Sequence, residues 1–332
     1  MRSFITGIKK HIYPSYAGPD RNREQLRWVD TETNRSFFSI IDPWVTSKKF
    51  SIEFTIIGRN DNYEPHWYRN LLSIIAYNRS LFVGTKIDFR VAFVEWNPTK
   101  GRSFLSPQLV KKYEFLRAIV VSPKIHQQLC QAHDLVMMLN FSFNAAIRSS
   151  RSDFILISGG DNFLGRDTAT YLINKGLKKK CLYRAERVEI KNTLHFKTPQ
   201  AEEIENPPNI VRIDVCDLPP YNQPPYTNAC GDFLLLDTVS LKFLRGYDEN
   251  ILNARLHLDT RCALSAMALG FDCKLIGHIF HIDHHLSSVN LGKNYPGKRY
   301  DYKVNIPYHN QDNWGLADRN WKKANDRLYY VS

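Results

Sequence analysis

The sequence predicts an α/β fold: a mostly parallel, twisted, doubly wound sheet flanked by helices, continued by a second half of different texture. Three observations carry this expectation. Short apolar runs recur through the first 190 residues, and each ends on a glycine or a proline: Phe54–Ile57 before Gly58, "KIDFRVAFVEWNP" at Pro98, "FLRAIVVSP" at Pro123, and "FILI" (154–157) shortly before Gly159. Between them lie stretches of helical character, "WYRNLLSIIAYNRSLF" (67–82) and "HQQLCQAHDLVMMLNFSFNAAIRSS" (126–150). Strands that alternate with helices in this way specify crossover connections and hence parallel pairing.

Along the chain, residues 1–48 are mixed and aromatic and read as an extension packed on the main body. Residues 49–190 hold the regular strand–helix alternation. From 191 to 332 the texture changes. "TPQAEEIENPPNIVRIDVCDLPPYNQPPYTNACGD" (198–232) is rich in proline, which disfavours helix interiors and central strands, so it reads as a long irregular excursion. Helical texture returns at "DTVSLKFLRG" and "LDTRCALSAMALG", where Gly270 suits a helix end. "CKLIGHIFHIDHH" is a late strand carrying four histidines, and the tail from 310 is polar and aromatic.

The balance of 45 basic against 33 acidic side chains gives a net charge of +12, which favours anionic partners. The basic residues are scattered apart from "GLKKKCLYR" (176–184), and no zinc-finger spacing, RNP-like motif or basic-region helix occurs, so no nucleic-acid partner is expected. The 6 cysteines show no metal-binding spacing and suit a reducing compartment. With no sustained apolar segment, a cytoplasmic protein is expected, with peripheral membrane contact compatible with its charge. The sequons at Asn34, Asn78 and Asn140 are then chance matches.

"FTIIGRND", "FVEWNP" and "FNAAIRSSRSDFILISGGDNFL" resemble, in order and texture, the donor half of the GT-A glycosyltransferases, and "RGYDENILNARLHLDTRCALSAMALGF" resembles the acceptor half of their inverting, family 2-like members. The resemblance spans about residues 50–285. It implies a Rossmann-like GT-A fold, a nucleotide-diphosphate sugar as donor, a glycan or glycolipid as acceptor, and a divalent cation, Mn²⁺ or Mg²⁺. Residues 49–190 would bind the donor and residues 191–332 the acceptor.

By this resemblance Arg59, Asn60 and Asp61 border the nucleotide, Glu95 holds ribose hydroxyls, and Arg184 or Arg187 clamps a phosphate or an acceptor carboxylate. Strand alternation puts Arg184 and Glu186 on one face and Arg187 on the other. Asp161 binds the cation or touches the donor sugar, although the earlier acid of the DxD pattern is here Gly159. His284, with His281 as the other candidate, completes the cation site. Asp259 takes the position of the catalytic base, Glu249 binds acceptor, and Asp248 competes for either role. Local chemistry offers plainer roles too: Asp259 as a helix N-cap, Glu95 as a solvated strand end, and Asp161 as part of a surface turn. The alternative functions are a catalytically weak GT-A-like nucleotide- or glycan-binding protein and, on charge alone, a basic nucleic-acid-binding protein.

Overall fold

The computed structural model describes residues 49–61, 66–132, 135–191, 201–205, 209–216, 226–253, 257–283 and 310–332. The proposed extension at 1–48, most of the proline-rich excursion, and His284 lie outside the described residues. Described are strands β1 (Phe50–Gly58), β2 (Ile87–Trp96), β3 (Leu116–Val121), β4 (Phe154–Ile157), β5 (Asn162–Leu164), β6 (Cys181–Ile190), β7 (Ile210–Asp214), β8 (Leu234–Asp237), β9 (Asp272–Ile282), β10 (Trp321–Asn325) and β11 (Leu328–Val331). The helices are α1 (Trp67–Ser80), α2 (Leu105–Lys112), α3 (Pro123–Leu129), α4 (Leu139–Ser149), α5 (Arg166–Lys175), α6 (Ala201–Ile204), α7 (Thr238–Phe243) and α8 (Leu258–Ala268).

All eleven strands join one sheet in the order β10-β11-β3-β2-β1-β4-β8-β6-β9-β5, with β7 paired to β6. Seven strands run one way and β5, β7, β8 and β10 run the other. The mostly parallel α/β sheet expected from the sequence is therefore present. It was not legible that antiparallel β8 enters between β4 and β6, nor that the tail returns as β10 and β11, with β11 parallel to β3.

Alternation along the buried strands sends side chains to both faces of the sheet, where they form three apolar clusters. Phe54, Phe89, Phe93 and Leu156 meet Leu71 and Ile74 of α1, Leu109 of α2 and Leu172 of α5 on one face. Ile155, Ile157 and Leu236 meet α4, α7 and α8 on the other. The one charge in the middle of β1, Glu53, is matched by a forked pair of 2.7 Å bonds from Arg117 of β3.

The single helix expected over 126–150 is interrupted. After Leu129 the chain turns extended at Cys130, and α4 begins only at Leu139. The segment between has other duties: the Val136 carbonyl accepts from both Arg59 and Asn97, and Gln131 N–H donates to the Leu252 carbonyl. Asn78 and Asn140 are buried at 0% and 1% exposure and hydrogen-bonded to backbone, so neither is accessible for glycosylation. All six cysteines are free thiols, and among the described residues no helix is long and apolar enough to cross a membrane.

Candidate functional site

Parallel strands with crossover helices leave their carboxyl ends free of covering elements, and ligands of such sheets bind there. Here β4 ends at Ile157, and residues 158–161 turn across that edge. A side chain at Gly159 would run into Asp161 Oδ1, so the carboxylate lies folded back over its own hinge. The Asp161 carbonyl accepts from Ile282 N–H at 3.0 Å, and Asn162 pairs with His281 across β5 and β9. His281 Nε2 thereby comes to 3.3 Å from Asp161 Oδ2.

The third member of this cluster was not anticipated. Antiparallel β8 starts at the edge where β4 ends, with Leu234 opposite Ile157, so the loop before it delivers Asp232 to the same place. Ser158 Oγ donates to the Asp232 carbonyl at 2.6 Å, and Asn162 Nδ2 donates to Asp232 Oδ1 at 3.2 Å. Asp161, Asp232 and His281 can each offer a ligand atom within 4.8 Å of the others. The acid absent at position 159 thus has a counterpart from a different part of the chain. "CGDF" (230–233) repeats the Gly-Asp-before-strand pattern of "GGDNF", which was the available signal for it.

A bulge in β6 brings further charge to the cluster. The register shifts between Arg184 and Glu186, which inverts the expected alternation: Arg184 and Arg187 both reach the 226–232 loop, while Glu186 faces His278 Nε2 at 3.3 Å. Arg187 is shared, with Nη1 at 3.3 Å from Asp232, Nη2 at 2.9 Å from Glu189 Oε2, and Nε at 3.8 Å from Asp214. Arg212 adds a 2.7 Å contact to Glu189. Burial would push Glu189 up, but His281 and both guanidiniums hold it down at about 2, so it is a carboxylate. Burial and Arg187 would depress His281, yet the Asp161 and Glu189 carboxylates raise it to about 9.

These residues fit a divalent cation. With His281 neutral, the carboxylates of Asp161, Asp232, Glu189 and Asp214 exceed the guanidiniums of Arg187 and Arg212 by two charges. Two carboxylate oxygens and an imidazole nitrogen form a donor set suited to Mn²⁺ and tolerated by Mg²⁺. Asn162 Oδ1, buried beside the cluster, has no hydrogen-bond partner among the described residues.

Asp259 lies in the first turn of α8; the N-cap is His257, in the left-handed region at φ 62°, so Asp259 does not cap the helix. A methyl on Gly231 would sit 3.3 Å from Asp259 Oδ2, which places this carboxylate against the residue next to Asp232. Beneath the same loop Arg184 is fully buried, and its guanidinium donates to the carbonyls of Tyr226, Asn228 and Cys230 at 3.0, 2.6 and 3.4 Å. It is spent on holding the loop.

The other sequence candidates sit elsewhere. Asp248 forms a buried pair with Arg261 of α8 at 2.9 Å. Glu249 Oε1 accepts from Asn144 Nδ2 at 2.9 Å and from Gly315 N–H at 2.8 Å, a contact with α4 and the tail. Glu95 is buried, and its two oxygens accept Leu105 and Ser106 N–H at the start of α2. Arg59, at the carboxyl end of β1, pairs with Asp61 at 2.8 Å and donates to Thr99 Oγ1, while Asn60 donates to the Ser103 carbonyl. Arg59, Asn60 and Asp61 follow β1, which runs parallel to β4 and ends at the same edge of the sheet.

No family model and no curated protein matches the sequence. Among solved structures the chain is similar to the catalytic domain of Drosophila beta1,4-galactosyltransferase 7, crystallised in complex with xylobiose. The match covers 85% of this chain and 93% of that one at 9% identity, with a TM-score of 0.43. An overlap this loose assigns no residue role.

Proposed function

We propose that the chain is a glycosyltransferase that moves a sugar from a nucleotide-diphosphate donor to a hydroxyl of a glycan or glycolipid acceptor, with inversion. The observation that carries the reading is the convergence of Asp161, Asp232 and His281 at the carboxyl edge of the sheet, with Asp259 against Gly231, the residue before Asp232. Glycosyl transfer needs two things that this arrangement supplies: charge compensation for a departing diphosphate and a base for the incoming hydroxyl.

Asp161, Asp232 and His281 would hold the cation, which when bound would supply charge compensation for the leaving diphosphate. Arg187 adds a fixed positive charge beside Asp232. Asp259 accepts the acceptor's proton as its oxygen attacks the anomeric carbon, on the face opposite the departing phosphate; the transition state has oxocarbenium character. Arg59, Asn60 and Asp61 border the nucleotide along the same edge.

The test is a panel of nucleotide sugars with and without Mn²⁺, read as donor hydrolysis and transfer, on the wild type and on Asp161→Asn and Asp259→Asn. Cation-dependent turnover of one donor, lost in both variants, is expected. A wild type that neither binds nor turns over any donor overturns the assignment.

A further inference from the structure

A histidine that binds a cation through one ring nitrogen needs its other nitrogen held, because that second bond fixes both the ring's orientation and its tautomer. His281 has such a partner. Glu189 on β6 and His281 on β9 are direct cross-strand neighbours, and Glu189 Oε1 lies 3.3 Å from His281 Nδ1. The Glu189 side chain is 4% exposed, and its other oxygen is anchored by Arg187 at 2.9 Å and Arg212 at 2.7 Å, so the carboxylate cannot swing away. His281 Nε2, at the other end of the ring, faces Asp161 Oδ2 at 3.3 Å.

Arg187 opposes this arrangement. Its Nη2 is 2.9 Å from the same Nδ1, and a guanidinium can only donate. A neutral ring satisfies one partner or the other. With the proton on Nδ1 the ring donates to Glu189 and presents a bare Nε2 to the cation position. With Nδ1 bare it accepts from Arg187, and the proton on Nε2 closes that position.

We propose that Glu189 is a positioning residue for the cation site, holding His281 in the Nδ1-protonated tautomer, whose unprotonated Nε2 points toward Asp161 and Asp232. The inference rests on the cation-dependent reading of the site given above. Removing its charge leaves Arg187 in control of the ring, and outer-shell partners of this kind are worth roughly ten- to a hundred-fold in metal affinity.

The experiment uses the full chain and Mn²⁺ itself, with free Mn²⁺ followed by electron paramagnetic resonance. Glu189→Gln, which keeps the side chain's size, is expected to weaken Mn²⁺ binding roughly ten- to a hundred-fold. Glu53→Gln, an equally buried carboxylate on another strand, is expected to leave it unchanged. In parallel, ¹⁵N spectra of the Mg²⁺-loaded wild type should show His281 protonated at Nδ1 and bare at Nε2. Glu189→Gln binding within about twofold of wild type, or an Nε2-protonated His281 in the loaded wild type, overturns the proposal. The second measurement stands even where the variant fails to fold. A wild type that binds no Mn²⁺ at all removes the cation reading itself and this role with it. That pattern differs from one in which wild type binds and Glu189→Gln binds equally well.

Discussion

The two flanks of the sheet treat charge in opposite ways. In the parallel block β11-β3-β2-β1-β4, each acid has its own partner: Glu53 takes Arg117, Glu95 takes two backbone N–H groups, and Asp61 takes Arg59. Across β8, on β6, β9 and β7, partners are shared. Arg187 serves Glu189, Asp214, Asp232 and the His281 ring at once, and the acids outnumber the guanidiniums. A closed pair rigidifies a fold; a shared and unbalanced set is a place where an added charge can enter. The cation and proton-transfer chemistry is therefore expected on the second flank, while the first supplies stability and the nucleotide-bordering edge at Arg59, Asn60 and Asp61.

The sharpest way to break that division is through the carboxylates themselves. Asp259→Asn should lower transfer roughly 10²–10⁴-fold, the range for a general base, with Mn²⁺ affinity intact. Asp232→Asn should instead reduce Mn²⁺ affinity first, and turnover with it. Unchanged turnover in Asp259→Asn would remove the base from the scheme. Asp248→Ala belongs to the other class. It removes the carboxylate of a buried ion pair with Arg261, at a cost of about 3–5 kcal/mol, seen as a lower denaturation midpoint. Turnover in the folded fraction should hold, because Asp248 contacts none of the three cluster residues.

Much of this was readable beforehand, for a physical reason. Apolar runs that end on glycine or proline define parallel strands, and an acid after a glycine hinge at such an end has few plain uses, so Asp161 stood out. The family resemblance offers His284 first and His281 second, and period-two spacing alone does not choose among the four histidines of the late strand. Asp232 was not readable, because only the insertion of β8 between β4 and β6 carries it to Asp161. Glu186 and Arg187 exchange their expected faces relative to Arg184 because one bulge residue inverts the faces of everything after it. Glu95 shows a different limit. A strand-tip carboxylate before a proline turn can bind ribose or cap the next helix, and the fold here occupies it with the start of α2.

Glu249 sharpens the comparison through pH. Burial, with a smaller contribution from Asp318, pushes its carboxyl up to about 7 against the bonds from Asn144 and Gly315. A group whose folded value lies above its unfolded value of 4.5 stabilises fully below that value, and the contribution is lost as pH rises through about 7. Wild type should therefore lose on the order of 1–3 kcal/mol between pH 4.5 and 7 that Glu249→Gln retains. Urea unfolding of both proteins at intervals across that window measures it, and parallel curves would remove Glu249 as the cause.

The smallest expected effect is the most specific. Gly159 stands where a second acid of the DxD pattern would be, and Gly159→Asp restores that pattern in the sequence. If the pattern itself were what the site lacks, Mn²⁺ binding should tighten. The geometry gives the opposite sign. A Cβ at 159 meets Asp161 Oδ1, so the new side chain must displace the carboxylate that faces His281 and Asp232. Because the obstruction is the mobile end of a side chain, the cost is modest: about 1 kcal/mol, or roughly fivefold weaker Mn²⁺ binding. Gly159→Ala should show the same loss without the extra charge, which separates crowding from electrostatics. Tighter binding in Gly159→Asp would mean that Asp161 and position 159 act as a pair and that Asp232 is no ligand, which would shift the site back onto β4 alone.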